Sequence, residues 1–515
     1  MSASIRIDRE VPVTLRDGTV LRAEVWRPDD DRPHPAILVR TPYVKETSAP
    51  SPILDCRLAT ERGYAVVLQD VRGRGSSEGA FEPFVNEERD GADSVAWAAA
   101  QPWCDGDVVM GGMSYVGATQ WLAAAARPPA LRAIAPTLSS DDFGEGWSFR
   151  SGVIEHGFLT TWSAGDLAPP GERWLDAPER AYHDLAGLAG IAPWTGDWLT
   201  EGAGSQYWRR RSVAPRRDAI DVPVLFTAGW YDVFLAGTLR GFERTHHPAD
   251  RLIVGPWGHD SDLSNLVGEV NVGSAGAGEE WWFAAALDFF DAARAGRESA
   301  LPRVRAYVLG ARRWAELDAW PPPGTTSPAV PLDPARVIVR PDDPVPSLGG
   351  RGLLIQVPGG GWGPRDQRPL LGRPDVALAG RVEWPRPVTL AGPVRARLRT
   401  AAEGPADWVV TLCTEAADGA LHNLCEGIAP APAGATEVTV ELGDVCVEVA
   451  AGQALVTLLA GSSFPRWPRP ETAGEQQILA GSRLELTVAD HLQELAEAPD
   501  AETAPLSRSR FLREE

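Results

Sequence analysis

The chain has 515 residues, with 49 Lys or Arg against 70 Asp or Glu, a formal net charge of −21 at neutral pH. That balance repels phosphate backbones and anionic lipid, and no Lys/Arg-rich block overrides it, so nucleic-acid and membrane-surface partners are not expected. Hydrophobic residues are 44% and charged residues 23%, ordinary for a globular protein, and the length calls for two or three domains.

In chain order, Met1 to Glu10 carry charges where a signal peptide would need an apolar core, and no stretch reaches about 18 uncharged apolar residues. A cytoplasmic location is therefore expected. Leu21–Trp26 alternates polar and apolar residues, as an early antiparallel strand would. Pro35–Val39 and Ala65–Leu68 are short continuous apolar runs, predicted to be strands buried on both faces. Asp90–Gln101 has helical spacing, Val108–Met110 is another buried strand, and Ala118–Ala126 is an alanine-rich helix. Leu131–Pro136, Val222–Ala228 and Arg251–Val254 repeat the strand signal. Such alternation predicts a mostly parallel sheet with helices on both faces.

Residues 141–215 break the rhythm and contain six tryptophans, Trp147, Trp162, Trp174, Trp194, Trp198 and Trp208. An aromatic insertion between two sheet strands reads as a helical cap, with most of these rings filling its own core and one or two facing a ligand. The run Trp320-Pro321-Pro322-Pro323-Gly324 opens an irregular linker. Beyond it, Val394–Thr400, Trp408–Cys413, Thr436–Leu442 and Leu455–Leu459 read as short strands of an antiparallel β-sandwich. Five cysteines, Cys56, Cys104, Cys413, Cys425 and Cys446, are scattered with no Cys-x-x-Cys pair, so free thiols are expected and no zinc or dithiol site.

The sharpest chemical signal is Gly111-Gly112-Met113-Ser114-Tyr115-Val116-Gly117, between a predicted strand and a predicted helix. A nucleophilic serine needs such a tight turn, which lifts Oγ above the sheet edge and requires small flanking residues. The spacing is Gly-x-Ser-x-x-Gly, with Val116 where the common motif has glycine. Taken alone the spacing fits a bland turn better, and the strand–turn–helix context brings the catalytic reading level with it. A base and an orienting acid should follow in the order acid, then His. Asp232 and His259 each come just after the C-terminal end of a predicted parallel strand, the edge where ligands bind in open α/β sheets. His34, His156, His183, His246, His247, His422 and His491 fit that position less well.

Several segments together resemble the cocaine esterase and X-prolyl dipeptidyl-peptidase (peptidase family S15) branch of the α/β-hydrolases. They are Arg40-Thr41-Pro42-Tyr43, Gln69-Asp70-Val71-Arg72-Gly73-Arg74-Gly75-Ser76-Ser77-Glu78-Gly79, the Ser114 turn, Gly229-Trp230-Tyr231-Asp232, and Gly255-Pro256-Trp257-Gly258-His259. Past the linker, Asp343–Gly350 and Asp366-Gln367 also match. The resemblance implies a triad of Ser114, Asp232 and His259. It also implies an oxyanion hole made by the Tyr43 hydroxyl and the Tyr115 backbone N–H. The Arg72–Gly75 stretch is then structural, and it lacks the lysine and spacing of a phosphate loop. The implied architecture is an α/β-hydrolase core (residues 1–140 and 216–330), a helical cap (141–215) and a C-terminal all-β jelly-roll sandwich (331–515). The cleft would lie where the three meet. Trp147, Trp162 and Phe234 are the residues expected to wall the acyl pocket. The chain is shorter than many relatives and lacks the secretion signal of the amino-acid ester hydrolases.

The leading expectation is a serine hydrolase that cleaves a small-molecule acyl ester or amide through an acyl-enzyme, with no metal or cofactor, and a homodimer is compatible with it. An α-amino-acid ester hydrolase, X-Pro dipeptidyl-peptidase or β-lactam acylase would need carboxylates near the cap to pair with an ammonium group. Asp141, Asp142, Glu145 and Glu155 could serve, although solvated surface positions are the simpler expectation for them. An acyltransferase would need only an alcohol or amine in place of water. The non-enzymatic alternative is a binding protein that uses the β-sandwich.

Overall fold

A computed structural model describes residues 4–47, 53–259, 263–278, 281–354, 362–489 and 492. Ten strands form one sheet: β1 (Ile5–Thr14), β2 (Val20–Pro28), β3 (His34–Thr41), β4 (Ala65–Asp70), β5 (Cys104–Met113), β6 (Leu131–Thr137), β7 (Leu225–Tyr231), β8 (Arg251–Gly258), β9 (Val304–Val308) and β10 (Arg313–Leu317). Their spatial order is β1-β2-β4-β3-β5-β6-β7-β8-β9-β10. The strands from β4 to β9 run parallel, and antiparallel neighbours close both edges. Every residue of β3 and β4 is buried, as their unbroken apolar runs require when helices cover both faces of a sheet.

Two boundaries differ from the sequence expectation in ways that matter for the site. The helix after Ser114 begins at Tyr115, not near Ala118. Strands β7 and β8 continue through Tyr231 and Gly258, which the motifs suggested were loop. Gly229 and Gly255 pair across the two strands. A Cβ on Gly229 would strike the Trp257 carbonyl, so the close approach depends on glycine. Asp232 and His259 are thus the first residues beyond rigid strands.

Between β6 and β7 lie the short helices His156–Trp162, Leu185–Ile191, Trp194–Thr200 and Gln206–Arg211 and the π-turns Gly144–Ser148 and Ser163–Leu167. Trp147, Trp162, Trp198 and Trp208 are buried, while Trp174 and Trp194 are half-buried. Trp162 stacks on Phe158 at 5.4 Å and on Trp198 at 5.7 Å between centroids, so these rings do fill the core of the insertion. The C-terminal part is all-β, with two antiparallel sheets. One contains Val388–Ala402 paired with Glu437–Val449, and the other Ala406–Glu415 paired with Leu421–Ala431. Burial alternates residue by residue from Glu437 to Leu442, as in a sheet with one wet face. No helix among the described residues is long and apolar enough to cross a membrane.

Buried arginines join these parts. Arg466 of the β-domain donates to Glu155 of the inserted segment at 3.1 and 3.2 Å and pairs with Glu426. Arg351 donates to the Trp230 carbonyl of β7 at 2.9 Å and to the Leu442 carbonyl at 2.8 Å. Burial by itself pushes the Glu426 carboxyl up, but Arg466 and Arg351 outweigh it and hold the group below its ordinary 4.5. A carboxyl depressed by folding stabilises the fold above its unfolded value and loses that contribution as pH falls. Glu426→Gln should therefore cost about 3 kcal/mol at neutral pH, as for other broken buried pairs. In thermal melts its deficit against the unsubstituted protein should shrink as the pH drops below 4.5. A deficit that stays constant across that range would show that the charge of Glu426 does not stabilise the fold.

Candidate active site

Strand β5 ends at Met113, and Ser114 stands alone between it and the helix Tyr115–Ala125 with φ 61° and ψ −126°. Positive φ is unfavourable for a side chain with a Cβ, and the surroundings enforce it. The Ser114 N–H donates to the Thr137 carbonyl at 3.0 Å, and Ser139 Oγ donates to the Ser114 carbonyl at 3.0 Å. A Cβ on Gly117 would lie 2.5 Å from that of Ser139, so glycine three residues after the serine lets the helix seat against the end of β6. This packing explains the Gly-x-Ser-x-x-Gly spacing.

His259 Nε2 lies 3.0 Å from Ser114 Oγ, and His259 Nδ1 lies 2.7 Å from Asp232 Oδ2. Asp232 is fully buried, and its other oxygen accepts the Phe234 N–H at 2.8 Å. The three residues selected by order and position therefore form one hydrogen-bonded chain. Asp232 is further secured through Trp230, whose carbonyl is held by Arg351 and whose indole donates to the Tyr307 carbonyl at 2.7 Å.

Tyr43 reaches the same place from the loop after β3. Its hydroxyl hydrogen-bonds with Ser114 and accepts the Trp162 indole N–H at 3.1 Å. Burial, reinforced by the charge of Asp166, pushes the phenol well above its ordinary value, so it remains a neutral donor. The conspicuous Asp70 motif supports this loop. Asp70 accepts the Lys45 N–H at 2.7 Å, the Lys45 ammonium at 3.0 Å and the Ser76 N–H at 3.1 Å. Arg72 makes a two-pronged contact with Asp90 at 2.7 and 2.8 Å. Tyr115 is the first residue of its helix, so its N–H has no partner four residues back and points out of the helix end. The Tyr115 phenol is engaged elsewhere, donating to Glu87 at 3.0 Å and accepting the Phe84 N–H at 2.9 Å.

The three expected pocket residues cluster beside His259 and Tyr43. Phe234 sits edge-on to the His259 ring at 5.1 Å, and Trp147 stacks on Phe234 at 4.0 Å and leans on Trp162 at 5.7 Å. All three are buried. Sequence reasoning missed the supporting arginines Arg351 and Arg466, and also Trp362, whose ring packs on Gly258 so closely that a Cβ there would collide with it. Isolated arginines and a lone tryptophan in a different domain carry no local signature.

The acidic residues near the cap require a correction. Asp141 and Glu155 are buried, not solvated: Asp141 accepts from Arg217 at 2.9 Å, and Glu155 is held by Arg466. Asp142 accepts the Gly144 N–H at 3.0 Å and Glu145 the Gly152 N–H at 3.1 Å. The five cysteines are all buried free thiols. Burial pushes Cys56, Cys425 and Cys446 up to about 12, which keeps them protonated and poor nucleophiles. His491 lies outside the described residues.

A family model described as X-Pro dipeptidyl-peptidase (S15 family) matches residues 17–261, and one for the X-Pro dipeptidyl-peptidase C-terminal non-catalytic domain matches residues 297–499. The chain is 32% identical to the cocaine esterase of Rhodococcus sp. (strain MB1 Bresler), over 92% of this chain and 94% of that protein. Among solved structures, an α-amino acid ester hydrolase shares the fold at TM-score 0.78 and 20% identity, covering 95% of this chain and 97% of the other. An aminopeptidase from a marine sediment archaeon (Thaumarchaeota archaeon) shares it at TM-score 0.79 and 20% identity, with the same coverage. Two family models matched in order, and a relative aligned along nearly its whole length, show that this chain belongs to the S15 family of serine hydrolases, which takes in cocaine esterase and the X-Pro dipeptidyl-peptidases.

Proposed function

We propose that the protein hydrolyses carboxylic esters of uncharged acyl groups through an acyl-enzyme on Ser114. The observation that carries this reading is the unbroken chain Asp232–His259–Ser114, which ends on a strained strand-to-helix turn. With its proton on Nδ1 donated to Asp232, His259 offers a free lone pair on Nε2 to the Ser114 hydroxyl. Ser114 Oγ attacks the acyl carbon as its proton passes to Nε2. The carbonyl oxygen becomes an oxyanion that receives the Tyr43 O–H and the Tyr115 N–H. The Trp162 indole N–H donates to the Tyr43 oxygen, which helps to hold the phenol beside Ser114, where its O–H can turn to the oxyanion. Collapse expels the alcohol, which takes the proton from His259, and water repeats the sequence to release the acid and restore Ser114.

Amine-bearing substrates are less well supported. Asp141, Asp142, Glu145 and Glu155 already accept from arginines or backbone N–H groups, which offset the negative charge an ammonium group would seek. The aromatic group Trp147, Trp162 and Phe234 favours an apolar acyl group instead.

Ser114→Ala should lower ester turnover by roughly 10⁴- to 10⁶-fold. It should also abolish labelling by a fluorophosphonate probe while leaving the melting temperature unchanged. Retained labelling would mean a different nucleophile. Tyr43→Phe should reduce kcat by about 10²- to 10³-fold with little change in KM, the loss expected for one oxyanion donor. A raised KM with intact kcat would instead make Tyr43 a substrate-binding group. Phe234→Ala should lower kcat/KM for benzoyl esters about 2- to 12-fold more than for acetyl esters, the scale of one aromatic contact. Equal losses on both esters would assign Phe234 to packing alone.

A further inference from the structure

The turn Gly73–Gly75 carries Arg74, and its role is not explained by the hydrogen-bonding of its motif. Arg74 is buried, and the hydrogen bonds of its guanidinium run to main-chain oxygens. Its guanidinium is spent on three backbone carbonyls in two directions. Nε donates to the Pro42 carbonyl at 2.7 Å, while Nη1 and Nη2 donate to Leu167 and Asp166 at 2.7 and 2.8 Å. The Phe81 ring lies 4.9 Å from the guanidinium carbon and covers it. Pro42 immediately precedes Tyr43, and residues 166 and 167 lie in the π-turn that continues from Trp162. One segment of the cap therefore grips the tyrosine at both ends. Trp162 holds the phenol oxygen directly, and the 166–167 carbonyls hold the backbone through Arg74.

We infer that Arg74 is a positioning residue for the oxyanion hole: it bolts the Tyr43 loop to the cap, so that seating of the cap and placement of the Tyr43 hydroxyl are one event. Burying a guanidinium costs several kcal/mol, which an apolar side chain would avoid if packing were all the site needed. A planar fork of donors can bind carbonyls on two separate segments at once, and a lysine ammonium at the same point cannot span them. Tyr43 in turn must hold its proton within a few tenths of an ångström of the line to the oxyanion, since a displacement of 1 Å can cost about 100-fold in rate.

The inference rests on Tyr43 acting as oxyanion donor, and a double-mutant cycle separates the two claims. Arg74→Lys and Arg74→Gln are each made alone and with Tyr43→Phe, and kcat and KM are measured on an acetyl ester for proteins that melt cooperatively. The expected result is a fall in kcat of about 10-fold for either Arg74 variant with KM changed less than about 3-fold, and almost no further fall when Tyr43→Phe is already present. Equal fold-losses in both backgrounds, or a rise in KM with kcat intact, would overturn the role of Arg74 while leaving Tyr43 as donor. If Tyr43→Phe by itself leaves kcat unchanged, the donor reading fails and the Arg74 inference fails with it. If neither Arg74 variant folds, Arg74 is a structural cation and the inference is likewise overturned.

Discussion

The backbone of Ser114 is the constraint around which the rest of the site is arranged. A side chain held at φ 61° and ψ −126° costs about 1–3 kcal/mol and persists only where its surroundings leave no alternative. Here the parallel pair β5 and β6 supplies them. Thr137 and Ser139 satisfy both backbone groups of Ser114, and the absence of a side chain on Gly117 allows the helix to sit against Ser139. The strain has a chemical return. Oγ stands within reach of His259, and the N–H of Tyr115, at the first position of the helix, follows it directly. Relaxing the turn would separate Ser114 Oγ, the His259 ring and the Tyr115 N–H together.

Around that turn, buried arginines aimed at backbone carbonyls or at buried carboxylates link units far apart in the chain. Arg351 reaches from the β-domain to the carbonyl of Trp230, two residues ahead of Asp232, and Arg466 joins the same domain to the start of the helix that bears Trp162. The family model for this region is described as non-catalytic, and no member of the Ser114 chain comes from it. Its contribution is geometric: Arg351, Arg466 and Trp362 hold the strand end before Asp232, the start of the Trp162 helix and the strand end before His259. A guanidinium suits that task because its donors are planar, permanently charged and directed at several acceptors.

A net charge of −21 suggests carboxylates available for cationic ligands. Yet the acidic residues between Asp141 and Glu155 are committed to arginines and backbone N–H groups. What lies beside His259 is aromatic and buried instead, with Trp147, Trp162 and Phe234 packed against one another and Phe234 against the His259 ring.

Much of this was legible in the amino-acid sequence. Continuous apolar runs foretold the parallel strands because a strand buried on both faces has no polar side to reveal. Glycines around Ser114, and the placement of Asp232 and His259 after strands, pointed to the chemistry because a strand-end site imposes those residue types locally. Tyr43 was found through family resemblance alone, since a tyrosine in a loop has no distinguishing neighbour pattern. Other features were settled only by tertiary structure: that Trp162 donates to Tyr43, that Glu155 is buried under Arg466, and that Arg74 joins residue 42 to residues 166 and 167. Periodicity and motif spacing report what a residue needs from its near neighbours in the chain. Which carbonyl a buried guanidinium meets depends on how separate layers pack, and no local pattern encodes that.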